Sequence, residues 1–367
     1  MSSHHQKTRL QQFRERLSVG VKGRSASGSV STGRMMMRVL QVCLLVFILA
    51  VVIAWYFLLG PSNREHGSFF NRQANAVWAP HTWSEDPHSV EEIREFVEKM
   101  AAGGVKYVFL HVGPIEADGT IPGARYRALP EFLKVARTYG DRVKYLAWMG
   151  QIRGKLPLQE LQVRREVVRT ARVFVEELGM DGIHYDIEPI VDGDTDFLYV
   201  LEDTKKALGA GNLSRDKKIL SVALPEMIPD YVFAVVRRVL DLKSYLSSEY
   251  YLKVAERSDQ IAVMTYENSI HSGWIYQYFL KHEVIWLTQL LQDYKGILLI
   301  GLPTYDTKTP SFDPKAENIY FGLKGMIEGL NSWRSHVDPF EGVALYGSWT
   351  TDAEEWKTME RLFLKRL

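Results

Sequence analysis

The sequence predicts an α/β fold, a (β/α)8 barrel of the TIM type, preceded by a single N-terminal transmembrane helix. From residue 76 of this 367-residue chain onward, short apolar runs alternate with amphipathic stretches of helical period, the pattern of a parallel sheet wrapped by helices. The runs number eight over roughly 300 residues, close to the ~250 typical of one barrel. No Gly-rich phosphate turn follows the first run, where Ala79-Pro-His-Thr-Trp83 stands, which argues against a doubly wound sheet.

Residues 1–38 carry Lys7, Arg9, Arg14, Arg16, Lys22, Arg24, Arg34 and Arg38 against Glu15 alone, with a Ser/Gly-rich patch from Ser25 to Thr32. So little apolar surface cannot offset chain entropy, and a disordered tail is expected. Residues 39–60 are free of charge and about the length of a bilayer crossing. The basic cluster before them places the N-terminus in the cytoplasm and the remainder outside, a single-pass plasma-membrane topology. Residues 61–75 form a polar tether, and 76–367 form one domain with no internal linker. The expected strands are Ala76–Ala79, Tyr107–Val112, Val143–Trp148, Gly182–Ile187, Leu220–Ala223, Ile261–Thr265, Ile297–Gly301 and Val343–Tyr346. Helices are expected at Val90–Ala102, Leu158–Leu178, Phe197–Leu208 and Thr351–Leu367.

Composition excludes more than it selects. A net charge of +1 gives no footprint for nucleic acid. The one cysteine, Cys43, permits no intrachain disulfide, and no Cys/His spacing fits a metal. No cofactor is implied. Asp192-Gly-Asp194-Thr-Asp196 opens like a calcium loop but has Phe197 where glycine is needed, so it reads as a polar loop capping the next helix. Asn212-Leu-Ser214 is a glycosylation sequon. Trp274, Tyr276 and Tyr278 read either as cleft-lining loop residues or as one face of a helix.

In a barrel, chemistry belongs at the C-terminal strand ends. Those ends carry Trp78 and His81, His111, Trp148 and Gln151, Asp186 and Glu188, Glu226, Tyr266 and Glu267, Tyr305 and Asp306, and Tyr346 with Trp349. Rings and carboxylates suit a carbohydrate, whose C–H faces stack on aromatics and whose glycosidic oxygen needs a proton. Within Met180–Pro189, strand alternation sets His184, Asp186 and Glu188 on one face and Ile183, Tyr185 and Ile187 on the other. Carboxylates two residues apart sit roughly 6–7 Å apart at Cα. One pKa must rise, which prepares a general acid.

Asp181-Gly-Ile-His184-Tyr-Asp186-Ile-Glu188 resembles the DGxDxDxE signature of glycoside hydrolase family 18, the chitinases and endo-β-N-acetylglucosaminidases. Ser221-Val-Ala-Leu-Pro225 resembles the family's fifth strand, Met264-Thr-Tyr266-Glu267 its M-x-Y-D, and Gly301-Leu-Pro-Thr-Tyr305 its G-[IL]-P-x-Y. The likeness spans about residues 76–350. It implies that Glu188 protonates the leaving oxygen, Asp186 orients the substrate's own acetamido group as nucleophile, and Tyr266 holds the acetamido carbonyl. No enzyme nucleophile is then needed, with retention of configuration. Substrate contacts are expected from Asp181, His184, Trp78, Trp148, Met264, Glu267, Tyr305, Tyr346 and Trp349.

The sequence departs from the family at His184, which replaces the middle Asp of the signature. It either hydrogen-bonds Asp186 or is a core histidine satisfied by a neighbour. Glu267 replaces an Asp, and Tyr346 stands where the last strand has Trp, with Trp349 three residues on. The function expected is cleavage beside N-acetylhexosamine in a chitin-like, peptidoglycan or other surface glycan. The alternative is a non-catalytic, lectin-like glycan binder on the same barrel, and a cell-surface scaffold would leave the acidic pair unexplained. Nothing in the sequence fixes an oligomeric state.

Overall fold

A computed structural model of the chain describes residues 28–59, 69–140, 142–209, 218–227 and 246–365. The tail over 1–27, the tether over 60–68 and the sequon at Asn212 lie outside the described residues. The chain divides into two compact units, Met1–Pro61 and Ser62–Leu367.

The described residues of the first unit form one helix, α1 (Gly28–Leu59). It begins inside the stretch expected as tail: no proline interrupts 28–38, so the helical period continues back through Met35-Met-Met37. Side chains are described over 36–52, and the large apolar ones there are exposed. Among the described residues, no helix is long and apolar enough to cross a membrane.

The second unit is the barrel. Its strands are β1 (Asn75–Ala79), β2 (Val105–His111), β3 (Lys144–Ile152), β4 (Gly182–Glu188), β5 (Ile219–Pro225), β6 (Gln260–Met264), β7 (Ile297–Pro303) and β8 (Phe340–Tyr346), all paired in parallel in sequence order. The ring closes where Ala76 and Val77 meet Ala344 and Leu345. Asn75 ties this seam at its N-terminal end: its side chain accepts from the Val343 N–H at 3.0 Å and donates to the Gly104 carbonyl at 3.1 Å.

The described helices of this unit are α2 (Thr82–Glu85), α3 (Val90–Ala102), α4 (Leu129–Tyr139), α5 (Leu161–Arg172), α6 (Thr195–Ala207), α7 (Ser248–Arg257), α8 (Gly273–Leu290), α9 (Ile319–Leu330) and α10 (Ala353–Met359). Helix α3 matches its expected bounds because Ser89 and Glu92 form a reciprocal cap that fixes the start. Asp352 and Glu355 form the same cap on α10, which starts at Ala353 and gives way to a wider turn at Glu360, within the expected Thr351–Leu367. The single helix expected over Leu158–Leu178 is instead α5 followed by a wider turn, Val173–Glu177, in which the Leu178 N–H reaches back to the Val173 carbonyl. Trp274, Tyr276 and Tyr278 lie on α8, with Tyr276 buried and Trp274 exposed, so the helix-face reading is the one observed.

Alternation along β4 separates two cores. Ile183, Tyr185 and Ile187 join the layer between strands and helices, while His184 turns into the barrel beside Trp78 and Phe109. The interior layer pairs large rings with small partners, Trp78, Tyr107 and Phe109 against Ala76, Ala262 and Ala344, which fills the tapering space. Two glycines permit close approach. A Cβ at Gly182 would lie 2.1 Å from the Ile219 carbonyl, and one at Gly325 would lie 2.3 Å from the Gln277 carbonyl, where α9 crosses α8.

Candidate active site

Strand β3 runs to Ile152, beyond its expected end at Trp148, because Met149 to Ile152 continue the pairing with β4. The extension aligns Gly150 with Asp186 and Ile152 with Glu188 at the C-terminal mouth. The Trp148 Nε1–H donates to Asp186 Oδ2 at 2.8 Å. Asp186 Oδ1 is buried and has no partner.

Rings from four strand ends surround this pair. Tyr266 lies near-parallel to Tyr346 with centroids 5.4 Å apart and meets Tyr305 edge-on at 6.2 Å. Tyr346 meets Trp148 at 6.3 Å and Trp349 at 5.4 Å, both edge-on. The Tyr266 hydroxyl is buried without a partner. The Tyr305 hydroxyl donates to Glu267 Oε1 at 3.1 Å, and its ring packs on Phe312.

Electrostatics set the protonation states. Burial, then the charges of Asp186, Glu267 and Glu226, push Glu188 up to about 8. Its side chain is open to solvent on one side, and that solvent screens part of the effect. Burial raises Asp186 to about 6, opposed by the Trp148 hydrogen bond. The two titrate as a pair: one proton is held at neutral pH, on Glu188. Burial also holds the Tyr266 phenol well above its ordinary value and so protonated.

Asp186, Glu188, Trp148, Tyr266, Glu267, Tyr305, Tyr346 and Trp349 therefore converge on one mouth. Met264 ends β6 beside Pro225 and Gly301 and packs against the interior layer. Three expected contacts lie elsewhere. Asp181 precedes β4 at the opposite end, on the order of 20 Å from Glu188 at 3.3 Å per residue. There it accepts the Tyr145 N–H at 2.9 Å and faces Arg137 and Lys144. Trp78 is sealed in the interior, 1% exposed, and supports the site from beneath.

His184 is the third, and it is the core histidine. Its Nε2 accepts from Trp78 Nε1 at 3.1 Å, so the proton lies on Nδ1, which donates to Ser221 Oγ at 2.8 Å. The ring stacks on Phe109 at 3.7 Å, and burial holds it neutral. Neither nitrogen is left for Asp186.

Two acidic residues stand outside the expected contact set. Glu226 follows β5, where burial and then Glu317 raise it to about 7, and its charge acts on Glu188. Its place at a strand end was visible in the sequence. Glu317 carried no sequence signal: it accepts the Asn268 and Ile270 N–H groups and so pins the turn after β6. That turn holds Glu267 at a φ of 64°, a left-handed conformation costly for a side chain with a Cβ. Among the described residues, no group of three or more His, Cys, Asp and Glu side chains could hold a metal ion.

No protein-family model matches the chain, and no curated protein matches it in sequence. Solved structures do match in fold. The Bacillus cereus spore cortex-lytic enzyme SleL is 11% identical with a TM-score of 0.53, covering 83% of this chain and 76% of that one. The Ostrinia furnacalis group IV chitinase is 14% identical at 0.53, covering 80% and 100%. A family GH18 chitinase from Cycas revoluta, solved with allosamidin, is 11% identical at 0.53, covering 79% and 99%. The barrel is thus similar in fold to these chitinases and to SleL.

Proposed function

We propose that this protein is a glycoside hydrolase that cuts a glycan beside an N-acetylhexosamine by substrate-assisted, retaining catalysis. One observation carries the reading. Next to a carboxyl that holds its proton at neutral pH lie two unpartnered buried atoms, a carboxylate oxygen on Asp186 and a phenol on Tyr266. An acetamido group has one N–H to give and one carbonyl to be held, so it completes both. Glu188 protonates the leaving oxygen, the acetamido oxygen attacks the anomeric carbon, and Asp186 faces the positive charge that grows on the acetamido nitrogen. Water then opens the intermediate with Glu188 as base. The names of the structural neighbours, chitinases and a cortex-lytic enzyme, support a glycan of chitin-like or peptidoglycan type.

The test is the purified full chain incubated with matched acetylated and de-acetylated glycans, products weighed by mass spectrometry. Cleavage should occur only where the sugar on the non-reducing side of the bond is acetylated. Equal cleavage of the de-acetylated series would refute the mechanism.

We also propose that residues 39–60 anchor the protein in the plasma membrane, the barrel lying outside the cytoplasm. The uncharged run and the exposed apolar side chains over 36–52 support this. Expressed full chain should stay in the membrane pellet after alkaline carbonate washing, and release into the wash would remove the anchor.

A further inference from the structure

Asp186 is held from one side only. Oδ2 takes the indole N–H of Trp148, while Oδ1 meets nothing. The groups facing Asp186 are Glu188 on its own strand, Trp148 on β3, Tyr266 after β6 and Tyr346 on β8. His184, two residues earlier, has both nitrogens engaged with Trp78 and Ser221 and is neutral, so it neither lends a proton nor accepts one. Trp148 is itself fixed. It is 8% exposed, and the His111 ring stands edge-on to it at 4.6 Å and 83°. Gly150 lies beside its N–H edge, where a Cβ would sit 3.4 Å from Nε1, in van der Waals contact.

We propose that Trp148 is the positioning residue of this site: its indole N–H fixes Asp186 in one rotamer, as an anion, with Oδ1 turned toward the substrate's acetamido group. This deepens the function proposed above and rests on it. An indole N–H donates and never accepts, so it is satisfied by the ionised carboxylate and opposes protonation of that oxygen. The bond is charge-assisted, and pinning one oxygen forbids the rotation that would carry the other away from the cleft. The sequence motif locates Asp186 on the strand, and β3 orients it.

Trp148→Phe keeps a ring in place and removes only the donor. On an acetylated oligosaccharide, kcat should fall about tenfold to a hundredfold with KM within about twofold. The acid limb of the kcat profile should rise by about one pH unit. Loss of packing alone would move neither the limb nor the KM-against-kcat split in this way. A second readout is independent of catalysis. In protein labelled with 15N at tryptophan, the Trp148 indole N–H resonance should titrate with pH, and Asp186→Asn should flatten that titration. Wild-type kcat with an unmoved limb in Trp148→Phe, or an indole signal indifferent to Asp186→Asn, overturns the proposal. A full chain inactive on every acetylated glycan would instead remove the function proposed above, and the indole titration would still decide whether Trp148 holds Asp186.

Discussion

Glu188→Gln is expected to leave the barrel folded and to slow cleavage of an N-acetylhexosaminide by about 10²–10⁴-fold, the range a positioned general acid supplies. Glutamine keeps the side chain's size but cannot give up a proton to a leaving oxygen. The wild-type rate should follow a bell in pH, because Glu188 must be protonated and Asp186 ionised. Activity falls above about 8 as Glu188 loses its proton and below about 6 as Asp186 gains one. Stability depends on the same proton. Glu188 binds its proton more tightly folded than unfolded, where its value is near 4.5. That advantage is complete below 4.5 and is lost as pH rises through about 8. The glutamine variant should therefore melt a few degrees above wild type at pH 8 and match it at pH 4, by calorimetry. Retained activity, or a lower melting point at pH 8, would count against Glu188 as the acid.

Asp186→Asn is expected to cost about 10²–10³-fold in kcat. The amide oxygen can still accept from Trp148, so local packing survives, but the negative charge facing the acetamido nitrogen is gone. Asp186→Ala should cost at least as much, since it also strands the Trp148 N–H in a buried setting. Steady-state kinetics on a chromogenic acetylated substrate would measure both. A variant keeping more than about a tenth of wild-type kcat would show that no charge is needed there.

Much of this arrangement was legible in the chain itself. Period-two alternation in β4 gave the correct faces, and the motif-bearing strand ends gave the ring of residues at the mouth. What could not be read is sequence-distant. Asp181 looks like part of the signature, yet its carboxylate is directed to the Tyr145 amide and to Arg137 at the far end. His184 became a core residue because Trp78 and Ser221, from β1 and β5, supply both its partners. Glu317 pins the β6 turn from before α9, a pairing that no local pattern announces. The bounds of α3 were recovered where a reciprocal cap stood, and helix ends were missed where the backbone widened, as after Arg172 and after Met359.

The two orphan atoms, Asp186 Oδ1 and the Tyr266 hydroxyl, bear on the stability of the chain as well as its chemistry. Each leaves the empty protein less stable by about 1–3 kcal/mol, and the crowded carboxylates add to that. Removing either polar atom would relieve this cost. On the function proposed above, an acetamido sugar binding at the mouth would satisfy both atoms and return that stability.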